Sequence, residues 1–329
     1  MSGQKRPMAP HVSVGDETSS TGKHEHLHMS ITAGILSWNR KDDLRRTLDA
    51  VLALDLPGLL VHVIDNGSTD GTIAMLDEEY SAERYPALMV TKLPDNTGNA
   101  ARNLFFKMVD TDYLLTLDDD SWPRSEADVL RMLRTMESDE RIATVCAACI
   151  HPDTKVAETR GIERFASRGD RETGYDVVNI AAGGTLLRMA AMRETRGYDP
   201  EFFWGRVEND LAFQLLKKNW RIVFDPEAVI WHSFSPVGRN PYPRLRAVTQ
   251  NSFSLLWKHI PLPFAIPGAL LFALRRLLPA VRDYRRLKPV AQGIVSGWGG
   301  MLRQRRRDRR FSMRGTFELR HWFAKFLYE

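Results

Sequence analysis

Apolar and polar positions along this chain follow two alternating periods. Short uncharged runs at Ile31–Ser37, 59–64, 88–93, 113–117 and Ile142–Ile150 are bounded by turn residues and read as buried strands. Between them apolar residues recur at helical spacing. Leu44, Leu48, Val51, Leu52 and Leu54 follow a cap at Asp42 or Asp43, and further helices are predicted near 72–80 and 125–137. A helix over 211–218 and a strand over 228–231 continue the series. Strand, helix and strand in succession imply right-handed parallel crossovers, hence an α/β sheet flanked by helices. In such sheets ligands bind at the carboxyl ends of the strands.

The polar residues that close these strands are therefore the candidate chemistry. Ser37-Trp38-Asn39-Arg40 follows the first strand, and Asp65-Asn66-Gly67-Ser68-Thr69-Asp70 the second. The third leads into 95–103, where small residues before a helix let a backbone approach a phosphate. The fourth ends in Asp118-Asp119-Asp120. Alternation along a strand puts Asp118 and Asp120 on one face and turns Asp119 away. Adjacent carboxylates repel unless a cation shares them, and hard ions such as Mg²⁺ or Mn²⁺ take carboxylate oxygens together with substrate phosphates. An acidic turn capping the next helix is the competing explanation.

Composition narrows the class. Apolar content of 43% and charged content of 26% in 329 residues are those of a globular protein with a full core. The net charge of +5 conceals an asymmetry: residues 275–329 carry 15 Lys/Arg against 4 Asp/Glu, leaving 31 against 37 elsewhere. An acidic body with a basic end points to an anionic surface, and the body lacks the basic face of a nucleic-acid reader. Cys146 and Cys149 lie in one apolar run, too few for zinc, and read as buried thiols of a reducing compartment. Residues 1–29 are polar, lack an apolar leader core and read as a disordered tail; His24, His26 and His28 there suggest no dedicated metal site.

The ordered set of motifs SWNR, VIDNGSTDGT, DNTGNAARN and LLTLDDD, followed by AAGGTLLR, GYDPEFFW, VENDLAFQLLKKNWRI and FDPEAVIWHS, resembles the family 2 glycosyltransferases over roughly residues 31–235. The resemblance implies a GT-A-type, Rossmann-like, mixed and mostly parallel sheet. It implies an inverting transfer from a nucleotide-diphosphate sugar, UDP- or dTDP-linked, with divalent Mn or Mg as cofactor. Ser37, Asn39, Arg40 and Asp65 would line the nucleoside pocket. Asn96, Gly98 and Arg102 would lie beside ribose and pyrophosphate, with Asp118 and Asp119 in the nucleotide-binding motif. Asp120 would ligate the metal, Asp118 would ligate it or hold the ribose, and His232 is a third candidate ligand. Glu208 aligns with the catalytic base, although Val207 stands where the family has a first acid, which keeps Asp210 open as the second choice. Gly183, Gly184 and Trp204 would meet the acceptor, with Arg206 or Arg188 as candidate holders of an acceptor phosphate. Gln214 stands where relatives often have Arg.

Beyond Pro243 the character changes. An amphipathic helix is expected over 245–258, and the apolar run 264–274 is too short to span a bilayer. Arg275-Arg276 and six Arg within 303–310 sit beside it, which suits helices lying on an anionic membrane surface. The expected organisation is a tail (1–29), a catalytic domain (30–243) and a basic helical region (244–329). Together these features indicate a cytoplasmic enzyme, peripheral on the inner membrane face, that glycosylates a glycan or lipid-linked acceptor for cell-surface polysaccharide or glycolipid. A sugar nucleotidyltransferase would carry a Gly-rich basic loop after the first strand, which SWNRKDD lacks. A non-enzymatic membrane-binding module leaves the polar strand ends unexplained.

Overall fold

The computed structural model describes residues 30–157, 166, 168–181, 183–235, 241–305, 310–312, 315 and 319. The tail 1–29, including His24, His26 and His28, and most of the basic segment beyond Arg305 lie outside the described residues. Strands β1 (Ile31–Ser37), β2 (Leu59–Asp65), β3 (Leu88–Lys92), β4 (Tyr113–Asp118), β5 (Ser121–Pro123), β6 (Ile142–Ile150), β7 (Arg168–Asp170), β8 (Gly174–Asp176), β9 (Gly184–Arg188) and β10 (Arg221–His232) form one sheet. Its order is β3-β2-β1-β4-β9-β6-β10-β8-β7, with β5 paired to β10. The helices are α1 (Lys41–Leu52), α2 (Thr72–Glu79), α3 (Asn103–Met108), α4 (Glu126–Glu137), α5 (Met189–Arg193), α6 (Val207–Leu216), α7 (Pro241–His259), α8 (Leu262–Ala280), α9 (Tyr284–Gly299) and α10 (Met301–Arg305).

The period-two alternation decides the layers. Tyr113, Leu115 and Leu117 of β4 face a core shared with Leu44, Leu48, Met132 and Met136 of α1 and α4. Leu114 faces the other core, with Phe105 of α3 and Phe213 of α6. The sheet is mixed because β9 runs antiparallel between β4 and β6. The sequence motif AAGGTLLR had not been read as a strand; its run of five residues is short, and non-local pairing decides its place. β10 is also longer than the 228–231 expectation, because a bulge between Asp225 and Val229 lets the strand continue through Pro226. Cys146 and Cys149 are buried free thiols.

The C-terminal helices share the second core instead of building one of their own. Phe253, Leu255, Leu256 and Trp257 of α7 and Ala265, Ala269 and Phe272 of α8 belong to the same cluster as Leu211 and Phe213. The apolar run expected at 264–274 is part of a longer helix: α8 has 19 residues and passes through Arg275-Arg276 to Ala280. By length and composition it is apolar enough to cross a membrane. One face of α8 is nevertheless committed to protein, through Ala265, Ala269, Phe272 and Ala280.

A buried ionic cluster fastens α7 to α6. Asp210 is fully buried; its Oδ1 lies 2.6 Å from Lys258 Nζ and accepts from His259 Nε2 at 2.7 Å, while Oδ2 accepts from Gln214 Nε2 at 2.9 Å. Lys258 also donates to Asp199 Oδ2 at 2.9 Å, and Lys217 Nζ stands 2.8 Å from His259 Nδ1. Burial lowers His259 to about 4, against the pull of Asp210. Burial alone would raise Asp210, but the His259 hydrogen bond and the Lys258 charge outweigh it and hold the carboxyl below its usual range. The neutral imidazole thus donates through Nε2 and accepts at Nδ1. Replacing Asp210 by Ala leaves Lys258 with Asp199 alone and takes the acceptor from His259 Nε2, and is expected to cost about 3 kcal/mol in denaturant unfolding. Because the His259 pKa is depressed by folding, its contribution is intact above its unfolded value of 6.5 and lost as pH falls towards about 4. That acid loss should shrink in a His259→Gln variant; an unchanged pH profile would refute the assignment.

Candidate active site

Register sets the site. Ser37 pairs with Asp65, and Leu36 with Asp118, so β1, β2 and β4 end nearly level at the carboxyl edge. After Asp118 the chain turns into β5, which pairs antiparallel with the end of β10 and sets Ser121 opposite His232. This hairpin-like return brings His232 beside Asp120: Nε2 lies 3.1 Å from Asp120 Oδ1. The Ser235 amide donates to Asp120 Oδ2 at 2.8 Å. One ligand atom each from Asp118, Asp120 and His232 lie within 4.8 Å of one another, a donor set of carboxylate oxygens and imidazole nitrogen that fits Mn²⁺ or Mg²⁺.

Each acid is balanced from a different direction. Arg102 ion-pairs with Asp118 and donates from Nη1 to the Leu117 carbonyl at 3.2 Å. Arg40 Nη1 lies 2.8 Å from Asp119 Oδ1 and 3.3 Å from Asp120 Oδ2. Asp119 also accepts from the Trp38 amide at 3.3 Å; β4 ends at Asp118, so Asp119 and Asp120 lie in a turn where strand alternation does not apply. Burial pushes Asp119 up to about 7 despite Arg40. Burial would raise Asp120 too, but the hydrogen bond and charge of His232 dominate and bring it to about 2.

The residues expected at the nucleoside form a scaffold of turns. Asn39, at φ 52°, accepts from the Thr69 amide at 2.7 Å, which ties the SWNR turn to the loop after β2. Asp65 Oδ1 accepts from the Ser68 amide at 3.0 Å, while Asp65 Oδ2 and Ser37 Oγ are buried without a hydrogen-bond partner. Asn66 was not singled out by sequence, yet it organises the next loop. Its Nδ2 donates to Asn96 Oδ1 at 3.0 Å and to the Gly98 carbonyl at 3.1 Å, and its Oδ1 accepts from the Thr97 amide at 3.0 Å. A polar residue beside a strand-ending Asp is the signal that could have found it. Gly98 opens a 3-10 turn (Gly98–Arg102) at φ +65°, where a Cβ would stand 2.5 Å from the Phe203 carbonyl.

Of the residues expected to meet the acceptor, Gly183 has φ +90°, and a Cβ there would come within 3.3 Å of His232 Nδ1 and 3.7 Å of Asp118 Oδ2. It therefore borders the Asp118-Asp120-His232 group. Gly184 instead packs on Ile230, 2.5 Å from a hypothetical Cβ. Trp204 is half-buried with the Arg244 guanidinium 5.8 Å from its ring centre. Glu208 sits in the first turn of α6; burial raises its pKa, Arg102 opposes this and Asp118 adds to it, so all three share one electrostatic site.

α7 holds that helix start. Asn251 Nδ2 donates to the carbonyls of Trp204 and Gly205 at 3.0 and 2.9 Å, and Arg206 Nε to Ser252 Oγ at 3.2 Å. Asp210 and Gln214 are consumed by the cluster beneath α6 and do not reach the edge. Arg188 does not reach it either: β9 pairs it with Tyr113, at the opposite end of β4, where it donates to the Met136 and Ile142 carbonyls.

Residues 32–196 match the family model described as "Glycosyl transferase family 2". Among curated proteins, the chain is similar to poly-beta-1,6-N-acetyl-D-glucosamine synthase of Staphylococcus aureus, 24% identical over 210 residues covering 61% of this chain and 49% of that protein. It is also 29% identical, over 119 residues, to N-acetylglucosaminyl-diphospho-decaprenol L-rhamnosyltransferase of Mycobacterium tuberculosis, covering 34% and 38% of the two chains. The chain thus spans about half or less of the length of these relatives. Among solved structures, a mannosyltransferase from Pyrobaculum calidifontis in complex with GDP-Man and Mn²⁺ superposes with a TM-score of 0.55 at 15% identity, covering 92% of this chain and 81% of the other. With half its length matched and the GT-A sheet in place, the chain belongs to glycosyl transferase family 2.

Proposed function

We propose that this chain transfers a sugar from a nucleotide-diphosphate donor to an acceptor hydroxyl, with inversion at the anomeric carbon and a divalent metal as cofactor. The observation that carries the reading is the Asp118-Asp120-His232 group at the sheet edge, with Glu208 coupled to the same charges. Asp118, Asp120 and His232 would hold Mn²⁺ or Mg²⁺, which when bound neutralises the diphosphate leaving group. Asp65 Oδ2 and Ser37 Oγ, lacking partners, suit a pyrimidine base, so UDP and dTDP donors are favoured. Asn39, Arg40 and Asp119 fix the turn around the nucleoside, and Asn96, Gly98 and Arg102 shape the phosphate side.

Glu208 takes the acceptor proton as the acceptor oxygen bonds to the anomeric carbon, while the bond from that carbon to phosphate oxygen breaks and nucleoside diphosphate departs with the electron pair. A raised pKa makes this carboxylate a stronger base. Glu208 is favoured over Asp210 because both Asp210 oxygens are already engaged by the buried Lys258, His259 and Gln214. The names of the curated relatives favour a glycan or lipid-linked acceptor in cell-surface polymer or glycolipid synthesis. Leu262, Ile266, Leu270, Leu274 and Leu278 form an exposed row at four-residue spacing on α8, next to exposed Arg275, Arg282 and Arg286. With Ala265, Ala269 and Phe272 packed on protein, this row favours α8 lying on an anionic membrane surface over crossing it. The reading extends to an enzyme peripheral on the inner face of the plasma membrane.

A screen of UDP-, dTDP- and GDP-sugars with Mn²⁺ or EDTA tests the reaction; no metal-dependent release of nucleoside diphosphate from any donor would sink it. Glu208→Gln should lower turnover by at least about 100-fold with donor binding retained. Turnover in the wild type should rise with pH through a pKa above 4.5, the ordinary glutamate value, and Glu208→Gln should lack this limb. Gly183→Ala, strained at φ +90°, should weaken Mn²⁺ binding by calorimetry while the fold survives; undiminished affinity would place the ion elsewhere. Leu270→Ser with Leu274→Ser should reduce flotation with phosphatidylglycerol vesicles, and equal flotation would remove α8 from the membrane contact.

A further inference from the structure

An open groove of about 670 Å³ lies between α7, α9 and the loop before α6. Arg246, Arg285 and Lys288 supply its charge, and Phe203, Tyr242 and Tyr284 its aromatic faces. Among the described residues, no carboxylate ion-pairs with those three cations. The acid on the groove wall, Glu201, is engaged elsewhere: its Oε2 accepts from Gln304 Nε2 at 2.9 Å and lies 3.4 Å from Arg303 Nη2. The groove therefore carries a net positive charge, three cations against the Glu201 carboxylate, around a partly apolar hollow, a combination that suits an anion attached to an apolar or sugar body.

Two of its wall residues tie it to neighbouring elements. Phe203 belongs to the loop before Glu208 that α7 clamps, and its carbonyl accepts from the Asn99 amide at 3.3 Å. Tyr284 begins α9, which follows the exposed α8 row in sequence. The cations thus share one groove with the base-bearing loop and with the chain leaving α8.

We propose that this groove binds the phosphate or diphosphate of an amphiphilic acceptor, whose apolar chain follows α8 and whose reacting hydroxyl is presented past Phe203 to Glu208. The inference rests on the transferase reading and specifies its acceptor as a phosphate-linked amphiphile. A bilayer headgroup is the other source of the same anion; the groove's concavity and its continuity with the base-bearing loop favour the acceptor.

The test uses the full chain saturated with UDP and Mn²⁺, so that the donor site is blocked, and titrates farnesyl diphosphate as probe. Farnesol, inorganic pyrophosphate and phosphatidylglycerol vesicles are the comparison ligands. Arg246→Gln with Lys288→Gln should weaken farnesyl diphosphate by about tenfold or more. Farnesol and prior UDP–Mn²⁺ binding should be unaffected. Arg246→Lys with Lys288→Arg should restore most of the affinity, a recovery that a purely structural role would not predict. Unfolding midpoints identify a misfolded variant, and Tyr284→Ala then serves as the second probe, with the same loss expected. The inference is overturned if farnesyl diphosphate binds wild type and charge variants alike. It is overturned equally if the variants lose only vesicle binding, which would make the groove a headgroup site, or if pyrophosphate binds as tightly as farnesyl diphosphate, which would leave no role for the chain. Failure of the transferase reading shows separately, as absence of nucleotide release from the wild type with any donor.

Discussion

Three consecutive carboxylates at one strand end impose the constraint on which the site depends. At a few ångströms, like charges in a partly buried setting repel by several kcal/mol. The fold answers with three partners: Arg102 from the 3-10 turn to Asp118, Arg40 from the turn after β1 to both Asp119 and Asp120, and His232 from the end of β10 to Asp120. Those partners come from distant parts of the sequence, so satisfying the acids also fixes three loops against one another. Arg40 cannot pair with Asp119 unless the SWNR turn closes, and Asn39 in that turn in turn holds the loop after β2. Burial still pushes Asp119 up to about 7 against the pull of Arg40, so its charge at the edge is held at a desolvation cost. A cation there would lower the energy of the folded state as well as serve chemistry.

The second constraint is the placement of Glu208. A helix start has no rigidity of its own, and here the preceding loop passes through left-handed backbone at Gly205 and Arg206, at φ 75° and 66°. Rigidity comes from α7, which satisfies the loop carbonyls through Asn251 and anchors α6 through Lys258 and His259. The buried charge cluster is costly to desolvate, and an apolar contact of the same shape could be more stable. What the ionic cluster adds is direction: Asp210 accepts from three donors only in one rotation of α6, and that rotation sets where Glu208 points.

Much of the sheet was legible because its strands are uncharged runs closed by turn residues, and β1, β2, β4 and β6 fall within a residue of the expected bounds. The edge acids were legible for the same reason: a buried run that ends in Asp118-Asp119-Asp120 has few structural explanations. What sequence could not give was non-local. β9 is inserted between β4 and β6 by pairing, not propensity. The distinction between Glu208 and Asp210 depends on Lys258 and His259, some fifty residues later, where no local pattern marks them as partners. Arg188 looked like a phosphate ligand until strand direction put it at the wrong end of the sheet. The α8 run looked short because Arg275 and Arg276 interrupt the apolar stretch, although long arginine stems are compatible with a continuing interfacial helix.

α7 belongs to both halves of the proposed reaction, and this explains why the C-terminal helices share the catalytic core. Its later residues, Asn251 to His259, hold the base helix, while Tyr242 and Arg246 near its start wall the cationic groove. A rigid helix spanning these positions keeps the acceptor's anion at a fixed distance from Glu208, so anchoring the phosphate also aims the hydroxyl. Binding energy gained away from the reacting carbon is then used to orient it, which is the most effective way for a transferase with little covalent chemistry of its own to discriminate among acceptors.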